Sequence, residues 1–296
     1  MLFKDYLSKY KIDYKTELQT AEISSIKAGG SAEYALYPKK QDELILLIKL
    51  CQAFSVPYKI IGGCTNTFVC DYGYRGAMIF TKNLSKTDCS GETVNAEAGT
   101  SLSVLLRKAC SSDLELRSEL FGIPGSIGGA IRNNAGAFGA EISDVFVSGL
   151  FYDIDNDKVL NLSKNELCFA YRYSILQNQN LVFINGIFKT RPRASEKISA
   201  DFSKFSGKRR DSQPNDPSLG SFFKRSAEII PAHLIDSAGL KGKRIGGAEV
   251  SIKHAGFIIN KGGATATDID LLAKAIEAEV FEKYNVNLTR EAELIE

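Results

Sequence analysis

Nineteen consecutive residues, Phe121 to Gly139 (FGIPGSIGGAIRNNAGAFG), hold six of the chain's 25 glycines, with Pro124 and the adjacent Asn133 and Asn134 among them. A stretch of this kind is backbone chemistry. Without a Cβ the main chain can take φ > 0 and come within van der Waals reach of a flat or anionic ligand, and Pro124 fixes one turn between. The spacing Gly122, Gly125, Gly128, Gly129, Gly136, Gly139 is not GxGxxG, and the sequence shows no amphipathic helix opening after it, which argues against a Rossmann fingerprint. Taken alone, such a stretch reads most simply as tight turns between strands. A second loop changes the balance. Val56 to Asp71 (VPYKIIGGCTNTFVCD) places Gly62, Gly63, Cys64, Thr65 and Asn66 between two short apolar strands. Successive small residues there can form a nest of backbone N–H groups, with Thr65 and Asn66 adding side-chain donors suited to a pyrophosphate. Two glycine loops of different type suggest a large dinucleotide lying along the protein.

The chain has 296 residues, enough for two or three domains, and its 44% hydrophobic content fills ordinary cores. No apolar run approaches the roughly 20 residues of a membrane span, and the start, MLFKDYLSKYKIDYK, is too charged for a signal peptide, so a cytoplasmic protein is expected. Cys51, Cys64, Cys70, Cys89, Cys110 and Cys168 are scattered without a CxxC pair, which reads as reduced thiols; with only His233 and His254 besides, no metal site is expected. Net charge is only +2, yet Lys189 to Asn260 carries 14 Lys+Arg against 7 Asp+Glu, leaving the rest of the chain at −5. A solvated face is the ordinary meaning of such a segment. No nucleic-acid-binding motif accompanies it, so an anionic small molecule is the more economical partner.

Residues 1 to 20 look like a polar helical lead-in, and Ile23 to Pro38 like a strand pair stopped by Pro38. Gln41 to Phe54 places Leu44, Leu47, Ile48 and Cys51 on one helical face, and Gly76 to Thr81 is a strand. Val94 to Gly99 begins a second unit, where Thr100 or Ser101 caps a helix carrying Leu102, Leu105, Leu106 and Ala109. Strands are expected over Val145 to Ile154 and Leu181 to Thr190, and RPRASEK, 191 to 197, reads as a linker. A short helix around Ala232 to Ala238 ends at Gly239, and Thr267 caps the clearest helix, whose Ile269, Leu272, Ile276, Val280 and Tyr284 recur at three- and four-residue intervals up to Asn285. A strand with Val286, Leu288, Ala292 and Leu294 on one side and Glu291 on the other closes the chain.

IKAGGSAEYALYP, IGGCTNTFV, GIPGSIGGAIRNNAGAFG, YRYS, GSFFKR and GLKGKRIGGAEVSIKHAGFIIN follow one another from Ile26 to Asn260. In that order they resemble the serial motifs of the UDP-N-acetylenolpyruvoylglucosamine reductase family, from about residue 20 to the C terminus. The resemblance implies an α+β protein: an FAD-binding domain of two α/β subdomains, of the PCMH or vanillyl-alcohol-oxidase-like kind, over 1–80 and 81–193, then a C-terminal α+β substrate domain over 194–296. It further implies an oxidoreductase of peptidoglycan precursor synthesis. NADPH passes hydride to FAD, and the reduced flavin passes it to UDP-N-acetylglucosamine enolpyruvate, giving UDP-N-acetylmuramate. Expected partners are these small molecules, with no nucleic acid, no membrane and a monomeric state. Arg172 and Ser221 are separated by only 49 positions, which resembles the shorter family type without a tyrosine-bearing lid insertion.

Carried onto this sequence, the resemblance gives FAD Ile61, Gly62, Gly63, Cys64, Thr65, Asn66, Gly122, Pro124, Gly125, Ser126, Gly128, Gly129, Asn134 and Gly136, with the isoalloxazine ring against Gly122 to Gly129. Arg172 matches the family's arginine that holds the substrate carboxylate, a task its bidentate, always-charged fork suits. Ser221 matches the proton donor. A serine hydroxyl is a weak acid that needs a neighbour, and by its residue type alone Ser221 is a turn or cap residue. Glu291 aligns with the catalytic glutamate, with Glu293 as the alternative register, and Arg290 stands where proline is common. Tyr171, Arg210, Lys224 and Arg225 fall on substrate-binding positions, although Arg225 follows Lys224 where asparagine then proline is usual. Lys208, Arg209 and Arg210 are diphosphate candidates, and Cys64 replaces a glycine or serine. Two other functions compete: an oxidase of a small alcohol on the same flavin fold, and a non-catalytic binding protein that keeps the pocket.

Overall fold

The computed structural model describes residues 2–226 and 228–296, so Met1, at the start of the expected first domain, and Ala227 lie outside the described residues. Two compact units emerge. The first comprises the chain up to Lys15, Tyr34–Gly63 and Gly76–Arg209; the second comprises Thr16–Glu33, Cys64–Arg75 and the chain from Arg210 onward. The division expected at residues 80 and 193 follows chain order, whereas the second unit recruits two early segments.

The first unit has two cores. In one, the helix Gln41–Ala53 turns Leu44, Leu47, Ile48 and Cys51 inward as its periodicity requires, and Leu50 joins them. These pack with Phe3, Leu7, Leu36, Ala77 and Ile79 beside a parallel pair in which Tyr58 to Ile61 match Ala77 to Phe80. Each such buried aliphatic side chain contributes about 1.5–3 kcal/mol. The other core lies on an antiparallel five-stranded sheet ordered Lys158–Ser163, Phe146–Asp153, Leu181–Lys189, Thr93–Glu97, Thr87–Ser90. Against it packs the helix Leu102–Cys110, whose first turn is closed by Ser101 Oγ accepting from Val104 N–H. Lys158–Ser163 escapes sequence reading because it is an edge strand with no buried residue and hence no alternation.

Several local expectations change for identifiable reasons. The lead-in is helical only over Phe3–Lys9; Asp13–Gln19 is a strand, and the expected pair over 23–38 is the single strand Ser31–Tyr37. The glycine stretch contains a short helix, Ile127–Arg132, with Ile127, Ala130 and Ile131 buried. Less than two turns long, it leaves no periodic trace. The segment read as a linker is instead anchored: Arg191–Pro192 pairs with Leu114–Glu115, and buried Glu115 accepts from Arg191 and Arg193 at 2.6–2.7 Å. A helix, Ser195–Ser212, starts within the same segment, with Ile198 and Phe202 buried.

In the second unit the helix Ala266–Tyr284 buries Ile269, Leu272, Ala273, Ile276 and Val280 beside a three-stranded sheet of Arg244–Ile245, Ala248–Val250 and Ile258–Asn260. Its cap is Thr265, not Thr267: the Thr265 hydroxyl accepts from Asp268 N–H, and Asp268 answers to Thr265 N–H, a reciprocal capping box. Asn285 ends it at φ +54. The helix Pro231–Ser237 stops where Gly239 takes φ +77, the left-handed position a C′ glycine provides. The last strand is only Glu293–Ile295, parallel to Thr67–Val69, because the residues before it hydrogen-bond elsewhere. No helix of the described residues is long and apolar enough to cross a membrane.

Candidate active site

In the first unit the two glycine loops meet. A Cβ on Gly62 would lie 2.2 Å from Ser126 Oγ, so the end of the Tyr58–Ile61 strand and the start of the Ile127–Arg132 helix approach at a distance only glycine allows. Ser126 Oγ accepts from Gly129 N–H, Gly128 N–H donates to Ala98 O at 2.8 Å, and Leu102 N–H donates to Gly125 O at 3.2 Å. Gly122 and Gly125 take φ +84 and +121. The result is a braced strip of main chain that lacks a Cβ at Gly122, Gly125, Gly128 and Gly129, a surface that fits a flat dinucleotide ring. Residues from Cys64 onward in the first loop belong to the second unit. Cys64 has φ +49, which explains why glycine suits that position, and burial pushes its thiol up to about 11.

Two residues expected at the cofactor have other tasks here. The Asn134 side chain is 1% exposed; its amide donates to Glu141 and to Ala170 O, and its carbonyl accepts from Ser143 N–H. Gly136 is required by its hairpin, since a Cβ there would lie 2.5 Å from Ala140 O. Both present their main-chain carbonyls to Arg172, which donates to Gly136 O at 2.7 Å and to Asn134 O at 3.4 Å. Arg172 sits at φ +54 in the tight turn that pairs Ala170 with Tyr173, and its guanidinium lies 4.8 Å from the Tyr171 ring centre. A non-glycine residue held there is a strained position fixed by its surroundings.

In the second unit Ser221 and Glu291 come to adjoining segments. Phe223 and Arg290 form an antiparallel bridge, flanked by Glu291 N–H donating to Phe222 O and Lys224 N–H to Thr289 O, both at 2.8 Å. The Glu291 carbonyl accepts from the Asn66 amide at 2.8 Å, and Glu293 N–H donates to Asn66 O at 2.9 Å. Asn66, expected at FAD, thus holds the backbone on both sides of Ala292. Ser221 is exposed and Glu291 half-buried. Sequence reading missed the supports: Arg290 reaches Asp270 and Glu277, and Asp71 accepts from Ala266 and Thr267 N–H at the start of the long helix. Desolvation opposes ionisation of Asp71, but those bonds outweigh it and hold its carboxyl below the usual range.

The basic candidates separate. Arg209 turns back onto the glycine stretch, donating to Phe121 O and Glu119 O at 3.2 Å, and burial holds its guanidinium below the ordinary arginine value. Lys208 lies over the Phe138 and Phe205 rings. Arg210 and Arg225 are exposed, Lys224 is half-buried, and Ile61 is buried at its strand end.

Residues 32–163 match the FAD binding domain and residues 213–295 match the UDP-N-acetylenolpyruvoylglucosamine reductase, C-terminal domain. UDP-N-acetylenolpyruvoylglucosamine reductase of Caldicellulosiruptor bescii is 38% identical over 100% of this chain and 95% of its own length; that of Clostridium novyi is 38% identical over 96% and 93%. The crystal structure of UDP-N-acetylenolpyruvylglucosamine reductase from Thermus caldophilus superposes with a TM-score of 0.81 at 27% identity, covering 96% of this chain and 99% of that one. A berberine bridge enzyme variant, 14% identical with a TM-score of 0.52 over 66% of this chain and 44% of its own, shares the flavin-domain fold alone. Full-length identity at this level, two domain matches in order and a glycine cradle in the matched FAD domain lead to one assignment: the chain belongs to the UDP-N-acetylenolpyruvoylglucosamine reductase family, as an FAD-binding oxidoreductase of α+β architecture.

Proposed function

We propose that this protein is the flavoenzyme that reduces UDP-N-acetylglucosamine enolpyruvate to UDP-N-acetylmuramate with NADPH, acting as a cytoplasmic monomer in peptidoglycan precursor synthesis and so in cell-wall biogenesis, cell shape and division. Ile61 to Asn66 and Gly122 to Gly129 would hold FAD, while Asn134 and Gly136 offer their main-chain carbonyls to Arg172. Bound there, FAD would supply two-electron hydride-transfer chemistry between NADPH and the enolpyruvyl double bond.

The protein's own task follows from the substrate. Hydride addition to the vinyl carbon leaves negative charge on the carbon beside the carboxylate, so the site has to hold an enediolate-like charge and deliver one proton. Arg172 suits the carboxylate. Ser221 is read as the proton donor and Glu291 as the group that supports it; Tyr171, Arg210, Lys224 and Arg225 are read as substrate contacts. The observation that carries the assignment is the antiparallel contact of the Ser221 segment with the Glu291 segment, which joins two chemically suited residues far apart in sequence. Glu291 is read in this role ahead of Glu293 because its N–H donates to Phe222 O, the residue next to Ser221.

The test is an anaerobic visible spectrum of the protein reconstituted with FAD, recorded after NADPH and again after the UDP-enolpyruvyl sugar. Flavin bands should bleach and return; bands that bleach and stay bleached reject the substrate. Ser221→Ala should spare the bleaching and slow the return, and equal loss of both half-reactions removes the proton-donor role.

A further inference from the structure

Arg290 occupies a place where its family commonly has proline, and its side chain makes three hydrogen bonds to two carboxylates. Its Nε donates to Glu277 Oε1 at 2.6 Å, one terminal nitrogen to Asp270 Oδ1 at 2.6 Å and the other to Glu277 Oε2 at 3.1 Å. Asp270, Lys274 and Glu277 stand at i, i+4 and i+7 on the helix Ala266–Tyr284, a single stripe two turns long, and Lys274 pairs with Asp270 at 2.7 Å. The side chains of Arg290, Asp270 and Glu277 are only 24%, 17% and 28% exposed, so solvent screens the cluster less than a surface pair. The guanidinium also lies 6.0 Å from the Phe222 ring centre, and Phe222 is fully buried next to Ser221.

The backbone gives this cluster its leverage. Phe223 and Arg290 form a non-hydrogen-bonded antiparallel pair, with the bonds on either side running from Glu291 to Phe222 and from Lys224 to Thr289. A side chain fixed at 290 therefore fixes the chain immediately before Glu291 and, through those two bonds, the chain immediately after Ser221. We propose that Arg290 is a positioning residue: clamped to Asp270 and Glu277 of the long helix, it sets the register between the Ser221 and Glu291 segments for proton delivery to the reduced substrate. This rests on the reading of Ser221 and Glu291 given above.

The test separates the two half-reactions in the FAD-loaded enzyme. Arg290→Met should leave flavin reduction by NADPH unchanged while slowing reoxidation by the UDP-enolpyruvyl sugar on the order of ten- to a hundredfold, with the substrate KM moved less than about threefold, as expected for slight misplacement of an acid. Arg290→Lys, which keeps the charge but not the fork, should recover most of that loss. Glu277→Gln, which keeps the shape and removes one arm, should slow reoxidation several-fold and carries the test if Arg290→Met does not fold. Unchanged reoxidation in these variants, equal slowing of both half-reactions, or a change confined to KM overturns the proposal. Ser221→Ala and Glu291→Gln run in parallel keep the two levels apart. If both reoxidise at the original rate, the reading of the site fails and this inference with it; if both are slow while Arg290→Met is fast, only the inference fails.

Discussion

The glycine cradle of the first unit and the acid segment of the second solve opposite problems. The cradle exposes main chain, so its requirement is the absence of side chains, and its tightest approach, Gly62 to Ser126, is set by a missing Cβ. The acid segment has to hold two ordinary side chains in register, so its requirement is the presence of partners: Asn66, Arg290, Asp270, Glu277 and the Phe222 backbone. Absence is written in composition. Partnership is written in pairings between residues from 13 to 225 positions apart, such as Arg290 with Glu277 and Asn66 with Glu291.

The sharpest way to break that contrast is Gly62→Ala. With a Cβ 2.2 Å from Ser126 Oγ, one loop has to move, and FAD affinity measured by flavin titration should fall at least about tenfold, or 1.4 kcal/mol. Adding Ser126→Ala, which removes the offending oxygen, should recover part of it. Unchanged affinity in the single variant would mean that the cradle does not depend on this approach.

Asn66→Ala tests whether the acid segment depends on its partner. The Asn66 amide serves the Glu291 carbonyl, so reoxidation by substrate should slow about fivefold, matching about 1 kcal/mol for one hydrogen bond. Flavin loss with normal reoxidation would mean that Asn66 serves FAD and not the acid segment.

Acid should weaken the second unit through Asp71 and Asp270. Desolvation resists ionisation of both, but hydrogen bonds to Asp71 and the Arg290 and Lys274 pairs on Asp270 lower both below the ordinary value. A depressed folded-state value means stability present above the unfolded pKa of about 3.9 and lost as pH falls through the folded one. Urea midpoints should therefore drop below about pH 4. Asp71→Asn should remove part of that pH dependence, at a cost of about 1 kcal/mol or less because the carboxylate faces solvent. A midpoint independent of pH between 3 and 5 would contradict it.

The smallest effect concerns thiols. Exposed Cys168 should react with a thiol reagent in the folded protein, whereas burial pushes Cys51 up to about 12 and Cys64 up to about 11, so both should react only on unfolding. Prompt modification of Cys64 would show that its loop opens.

Helices with a clean apolar stripe were legible: Gln41–Ala53 and Leu102–Cys110 turn inward the residues their spacing demanded, and Ser101 caps as a serine before such a stripe should. Elements without a stripe were not. Lys158–Ser163 has no buried face, Ile127–Arg132 is too short to show a period, and the polar opening of Ser195–Ser212 resembles a linker until its Phe202 is seen stacked on Phe121 at 4.1 Å. Of the candidate site, the glycine positions and the candidates Arg172, Ser221 and Glu291 come from their motifs. The bonds that the Asn134 and Asn66 amides make within the chain do not, because an asparagine in a glycine loop looks the same whether its amide faces a ligand or its own chain.

By itself the sequence determined where backbone must be bare, which faces are apolar and which family pattern the chain carries, since each depends on residue type and local spacing. Only the tertiary structure decided which early segments join the C-terminal unit, what braces Glu291 and which carboxylates Arg290 pairs with. Those outcomes depend on hydrogen bonds and ion pairs between distant residues, and local spacing carries no information about them.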